Sequence, residues 1–307
     1  MVSFDIQGVI APVFTPIDED GQVNLDPIPA YAKYLADNGI QCVLVPNIFT
    51  VGGTTGEFVS LSVEEKKLVV DAWMKEGKSL NLKIIVHVGG APLPYVIEMA
   101  KYAEKIKVDA IMTLPELYFK PRTPEQLVAY LEVVSKAAPS LPLLYYNFPM
   151  MSGVDVHNPN FFRLAILRIP NFMGMKADLK QANQVAQLLI NGRKVFIANH
   201  EIAPAVLMGH DSSIATVSNM FPKLVLQIVE TTSAGNVDKA RILQTELNEL
   251  VDTIASEGEF VPSMKVAMEC VTGIKVGPPR LPQAPLDNHR RTRIQEKLRE
   301  MGHSADL

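Results

Sequence analysis

The chain has 307 residues, 48% hydrophobic and 20% charged, enough apolar matter for a large core and no signature of disorder. Its net charge of −4, from 29 basic and 33 acidic residues, excludes the basic field that non-specific nucleic-acid binding requires. Two cysteines, Cys42 and Cys270, are too few for a disulfide framework and read as reduced core thiols. An anionic small-molecule ligand would need a local positive group rather than a global field. The start, Met1-Val2-Ser3-Phe4-Asp5, lacks a basic leader region, and no apolar run reaches membrane-spanning length. The expectation is a cytoplasmic protein with neither a membrane nor a nucleic-acid partner.

In chain order, strand-like apolar runs alternate with amphipathic stretches. The runs are Gly8–Phe14, Ile40–Val45, Lys83–Val88, Ala110–Leu114, Leu141–Tyr146, Phe172–Lys176, Lys194–Ala198 and Ser213–Val217. Helical spacing covers Pro27–Asn38, Ser62–Gly77, Pro92–Ile106, Thr123–Ala138, Asn158–Leu167, Leu179–Leu189 and Glu201–Met208. Ser62-Val63-Glu64-Glu65 reads as a capping box, and Thr123-Pro124-Glu125-Gln126 adds proline at the first helical position. Strict alternation with eight strands predicts a closed (β/α)8 TIM barrel rather than an open sheet. Beyond it, further helices are expected near Pro222–Ala234, Val237–Ser256, Val261–Thr272 and Leu286–Met301. Residues 1–221 are thus expected to form the barrel, and 222–307 a C-terminal helical extension packed on it.

Chemistry is sought at strand carboxyl ends, where α/β folds build their sites. Lys176 closes the run Phe172–Lys176, where its stem must lie along apolar neighbours; a strand-end lysine can also simply snorkel into water. Tyr146 closes Leu141–Tyr146, but Tyr145 precedes it, and the pair alone does not say which ring faces inward. Gly52-Gly53-Thr54-Thr55-Gly56-Glu57 combines glycines that let a ligand approach the backbone with free N–H groups and two hydroxyls, a combination suited to a carboxylate. The plainer reading of this loop is a turn in which Thr55 or Glu57 caps the next helix. A lysine, a phenol and a hydroxyl-bearing turn at strand ends suit carbonyl chemistry through a Schiff base. The six histidines show no metal-ligand spacing, so no metal is expected. Neither a phosphate loop nor a dinucleotide fingerprint occurs, since Ala72 stands where Gly77-Lys78-Ser79 would need a glycine.

Gly53-Thr54-Thr55-Gly56-Glu57, Tyr146-Asn147-Phe148-Pro149 with Ser152-Gly153, and Gly174-Met175-Lys176 together resemble the pyruvate-dependent class I aldolases. That family includes the N-acetylneuraminate lyases and dihydrodipicolinate synthases, and the likeness runs from Gly8 to Pro282. Phe58-Val59-Ser60-Leu61-Ser62 and Met268–Pro282 look most like the animal N-acetylneuraminate lyases. The resemblance implies that Lys176 forms the Schiff base and Tyr146 shuttles the proton. Thr54, Thr55 and the N–H groups near Gly56 would hold the 2-oxo acid's carboxylate. Tyr118 would reach into a neighbouring subunit of a homotetramer and extend a Thr54–Tyr146 relay. Asp178, His200, Glu201 and Thr216 would face the sugar tail, with no cofactor beyond the covalent adduct on Lys176.

The implied reaction is reversible cleavage of N-acetylneuraminate to N-acetylmannosamine and pyruvate. The alternatives are a related 2-oxo-acid aldolase or synthase with a different aldehyde, or a non-catalytic barrel that binds a sugar acid. Several residues depart from the sialate-lyase pattern. Ala198-Asn199-His200-Glu201 replaces Gly-x-Asp-Glu, and Ala215-Thr216-Val217 replaces Gly-Ser-Thr. Asp178 stands where serine or threonine is usual, and Pro46–Val51 looks like an insertion. Asp178 is expected to favour the protonated form of Lys176.

Overall fold

The computed structural model describes residues 2–45, 55–57 and 61–303. Eight parallel strands close into a barrel in sequence order: β1 Val9–Pro12, β2 Cys42–Val45, β3 Lys83–Gly89, β4 Ala110–Thr113, β5 Leu143–Tyr146, β6 Phe172–Ala177, β7 Lys194–Ala198 and β8 Ser213–Ile214. The connecting helices are α1 Ile28–Asp37, α2 Val63–Leu80, α3 Leu93–Ile106, α4 Pro124–Ala137, α5 Pro149–Ser152, α6 Asn158–Arg168, α7 Leu179–Val185 and α8 Ile202–Leu207. Four more follow: α9 Pro222–Ser233, α10 Val237–Ala255, α11 Phe260–Thr272 and α12 Asn288–Glu300. The (β/α)8 TIM barrel with added C-terminal helices is therefore the observed fold. The expected insertion Pro46–Val51 lies outside the described residues.

Two apolar layers follow from the two-residue period of strands. Ile10, Leu44, Ile85, Met112, Leu144 and Phe196 fill the barrel's interior. Their neighbours Ala11, Val43, Ile84, Ile111, Leu143 and Ile197 pack outward against the helices. Continuous burial on both faces is why these runs read as apolar throughout rather than alternating.

One irregularity decides what faces inward. Between β5 and β6 the register passes from Leu143 opposite Phe172 to Leu144 opposite Gly174, leaving Met173 as an extra residue. Phe172 packs outward and Met173 inward, so uninterrupted alternation would turn Met175 inward and Lys176 outward. The extra residue reverses that parity: Met175 packs outward, and Lys176 stands opposite Tyr146. Gly174 permits the irregularity, with φ +139°. A Cβ there would lie 1.8 Å from the Lys194 carbonyl oxygen. G174A should therefore cost about 3 kcal/mol or more in stability. A melting temperature at the wild-type level would contradict this account of the bulge.

Three expectations shift at element ends. The eighth strand stops at Ile214 instead of Val217, and Thr216–Asn219 forms a 3-10 turn. Asn219 explains the stop, because its amide donates to the carbonyls of Pro12 and Thr216 at 2.8 and 2.9 Å and accepts from the Tyr31 hydroxyl at 2.6 Å. These bonds serve backbone groups that a longer strand would otherwise pair. The helix expected over Leu179–Leu189 ends at Val185 and tightens into a 3-10 turn at Ala186–Leu188. Helix α5 was not expected, although Pro149 at its start and Gly153 (φ +64°) past its end are the usual signals.

Candidate active site

A cavity of about 960 Å³ opens at the carboxyl ends of the strands. Its walls include Thr55, Gly56, Tyr146, Lys176, Asp178, His200, Glu201 and Thr216, eight of the residues singled out in the sequence. Thr54 lies outside the described residues. Tyr118 is not part of the wall within its own chain: its ring is 83% exposed and packs edge-on against Phe119, with centroids 5.0 Å apart.

Lys176 is 8% exposed, and its Nζ donates a hydrogen bond to the Tyr146 hydroxyl at 3.0 Å. The same amine lies 4.2 Å from the centroid of that ring. Tyr146, rather than Tyr145, is the inward ring, since Tyr145 packs outward among Phe161 and its neighbours. Phe148 stacks on Tyr146 at 5.7 Å and 10°, and the His87 ring meets it edge-on at 5.9 Å, so the phenol is held between aromatic neighbours.

Burial lowers the Lys176 amine from 10.5 to about 7. That interval corresponds to roughly 5 kcal/mol in favour of the neutral form over the charged one. The expectation that Asp178 would hold the lysine protonated is not met. The Asp178 carboxylate accepts the Gln181 N–H at 2.7 Å and closes a capping box on α7, and burial alone moves the amine. Burial also drives the Tyr146 phenol upward, so it keeps its proton at neutral pH.

This environment fixes a pH dependence. Only the neutral amine attacks a carbonyl, so the initial rate at which a small 2-oxo acid is trapped on Lys176 should rise with pH and level off above about 7. The check is the borohydride trapping rate from pH 5 to 9. A half-maximum near the ordinary lysine value would contradict the role of burial.

The turn Thr55-Gly56-Glu57 is fixed from several directions. Thr15 Oγ1 donates to the Gly56 carbonyl at 2.8 Å, and the Thr55 and Thr216 hydroxyls share a bond of 2.6 Å. Glu57 has φ +48° and forms a buried ion pair with Lys265 of α11. It also accepts the Arg280 backbone N–H at 2.5 Å. Burial pushes the Glu57 carboxyl up and the Lys265 amine down, each opposed by its partner's charge. Neither Thr55 nor Glu57 caps α2, because Ser62 does so in a capping box with Glu65.

On the opposite side, His200 is partly buried, which lowers its pKa and favours a neutral imidazole able to bond hydroxyls. Sequence reasoning gave no site role to several wall residues: His87 and Asn183, Phe148 and Asn199 (both inside quoted motifs), and Val251 and Phe260 from the C-terminal helices. His87 was detectable, since it lies two residues beyond the inward Ile85 on the same strand. Val251 and Phe260 belong to helices whose docking no local pattern specifies. Among the described residues, no group of three or more His, Cys, Asp or Glu side chains is arranged for a metal ion, and no helix is long and apolar enough to cross a membrane.

A closed parallel barrel with a desolvated lysine beside a phenol at its strand ends defines the class: a (β/α)8 barrel suited to carbonyl chemistry on an amine. The chain belongs to the dihydrodipicolinate synthetase family, which it matches over residues 5–301. It is 30% identical to the N-acetylneuraminate lyase of Homo sapiens over 307 residues, covering 98% of this chain and 91% of that one. Against the enzyme of that name from Xenopus tropicalis it is 31% identical over 280 residues, 90% of each chain. In three dimensions it resembles the N-acetylneuraminate lyase of Proteus mirabilis with a TM-score of 0.88 and 29% identity, covering 97% of this chain and 99% of that one. The family and these relatives support aldolase chemistry.

Proposed function

We propose that this chain is a Schiff-base lyase that reversibly cleaves N-acetylneuraminate to N-acetylmannosamine and pyruvate. The observation that carries the proposal is the Lys176 amine, buried and lowered to about 7, at 3.0 Å from the Tyr146 hydroxyl in a cavity of about 960 Å³. Relatives named N-acetylneuraminate lyase at about 30% identity support the choice of sugar acid.

In this reading, neutral Lys176 attacks C2 of the open-chain substrate, and loss of water gives an iminium. The iminium accepts the electron pair of the C3–C4 bond as that bond breaks. Tyr146 takes the C4 hydroxyl proton while passing its own to the substrate carboxylate, because a phenol raised by burial relays protons rather than ionising. N-acetylmannosamine leaves, the enamine is protonated at C3, and water releases pyruvate from Lys176. Thr54, Thr55 and the N–H groups near Gly56 hold the carboxylate with fixed dipoles. Asp178, His200, Glu201 and Thr216 face the hydroxylated tail. The covalent adduct is the only electron sink, and no metal or organic cofactor takes part.

The same proposal covers assembly and place of action. Tyr118, Phe119 and Met150 are 83%, 84% and 79% exposed, an apolar group on neighbouring segments that supports burial against another copy in a homotetramer. Tyr118 would then reach the partner's cavity. Residues 222–307 act as an extension of the 1–221 barrel, with Val251 and Phe260 completing the cavity wall. The protein works in the cytoplasm.

Incubation with N-acetylneuraminate should release pyruvate and N-acetylmannosamine in equal amounts. Ala215 and Asn199 at the tail favour a second reading, a related 2-oxo-acid aldolase with another aldehyde. That reading predicts pyruvate trapping without sialate cleavage. A barrel that only binds predicts neither.

A further inference from the structure

The loop after β7 carries Asn199, His200 and Glu201 to the cavity, and within the loop the Ile202 N–H donates to the His200 carbonyl at 2.9 Å. Asn199 adopts φ +70°, a left-handed conformation that asparagine accepts more readily than most side chains. Helix α8 begins after Glu201, whose side chain makes no capping bond. The missing cap is supplied from a helix outside the barrel. Gln244, on α10 and 9% exposed, accepts the Ala203 N–H at 2.9 Å through Oε1. Its Nε2 donates to the His200 carbonyl at 2.7 Å and to Asn248 Oδ1 at 2.9 Å. A single amide therefore bonds the backbone on both sides of Glu201.

We infer that Gln244 is a positioning residue for recognition of the aldehyde-derived half of the substrate, fixing His200 and its neighbours at the cavity without touching the reacting atoms. Two turns further along the same helix, Val251 forms part of the cavity wall. One rigid helix thus sets both the loop and the surface facing it. The amine and the phenol lie on β6 and β5 and the described part of the carboxylate turn at Thr55–Glu57; among the described residues, Gln244's hydrogen bonds go to His200, Ala203 and Asn248 instead. The inference rests on the lyase reading for the identity of the tail, and its test separates the two.

The test compares Q244L and Q244E with wild type in the condensation direction, using N-acetylmannosamine and pyruvate. Q244L removes both bonds to the loop. Q244E keeps the shape and the acceptor but sets a carboxylate against the His200 carbonyl. Each variant should raise KM for the sugar about tenfold, within the range set by losing one or two ordinary hydrogen bonds. Pyruvate trapping by borohydride and the KM for pyruvate should stay within about twofold of wild type, because neither depends on the loop. An unchanged sugar KM, or an equal loss for sugar and pyruvate, would overturn the inference. So would a wild-type KM in Q244E, since shape alone would then suffice. If wild type traps pyruvate but rejects N-acetylmannosamine, the choice of sugar fails, and the comparison is decided with an aldehyde the enzyme accepts. If wild type traps no pyruvate, the lyase reading and this inference fall together.

Discussion

Replacing Lys176 with alanine should lower turnover by about 10⁴-fold or more and abolish pyruvate trapping, the largest functional loss expected of any single substitution in this chain. The reasoning is chemical. Without an amine there is no iminium, and no neighbouring group can accept the electron pair of the breaking carbon–carbon bond. Stability should move the other way. The amine is lowered from 10.5 to about 7, so the unfolded chain holds a proton that the folded chain has released across the interval between those values. Stability from this group therefore rises with pH from about 7 toward about 10, and its cost is largest below pH 7. K176M, which fills the same apolar space without a charge, should unfold at a higher temperature than wild type, with the greater gain at pH 6 than at pH 9. Thermal unfolding at the two pH values checks the sign, and an equal or opposite shift would show that the lysine is not desolvated.

The second large effect belongs to Tyr146. Y146F keeps the ring that stacks on Phe148 and meets His87, and it removes only the hydroxyl 3.0 Å from Lys176. The barrel should stay intact, and the iminium with pyruvate should still form. In the proposed reaction a proton leaves the C4 hydroxyl as the bond breaks, and loss of a positioned proton carrier costs about 10²- to 10⁴-fold. The variant should therefore retain borohydride trapping while turnover falls by that factor. Single-turnover kinetics separate the two steps. Undiminished cleavage would remove Tyr146 from the proton path, and loss of trapping would make its role structural.

The residues that carry these predictions were legible because each closes an apolar run. Lys176, Tyr146 and the described part of the turn, Thr55-Gly56-Glu57, sit where a parallel barrel exposes its strand ends, and that placement follows from eight alternating elements alone. Orientation was harder to read. Applied from Phe172 onward, the two-residue period turns Lys176 toward the helices, and only the extra residue at Met173, with Gly174 behind it, turns the amine inward. A pattern of residue types does not register one inserted residue, although a glycine inside a strand is the available hint.

Asp178 was misread for a different reason. Two residues along a chain need not mean an electrostatic contact, and Asp178-Leu179-Lys180-Gln181 already spells the capping box that α7 uses. The contributions of α10 and α11 could not be read locally at all. Gln244, Val251 and Lys265 meet the barrel across long stretches of chain, and their helical spacing is the same whether they face solvent, another subunit or the cavity.

The central claim is that one desolvated amine, reached through the barrel mouth, does the chemistry. Its most direct test is peptide mapping by mass spectrometry of the wild-type protein after treatment with pyruvate and borohydride. The account predicts a single reduced pyruvyl adduct, on Lys176, formed faster as pH rises toward and past about 7. An unmodified protein, or an adduct on any other lysine, would contradict it.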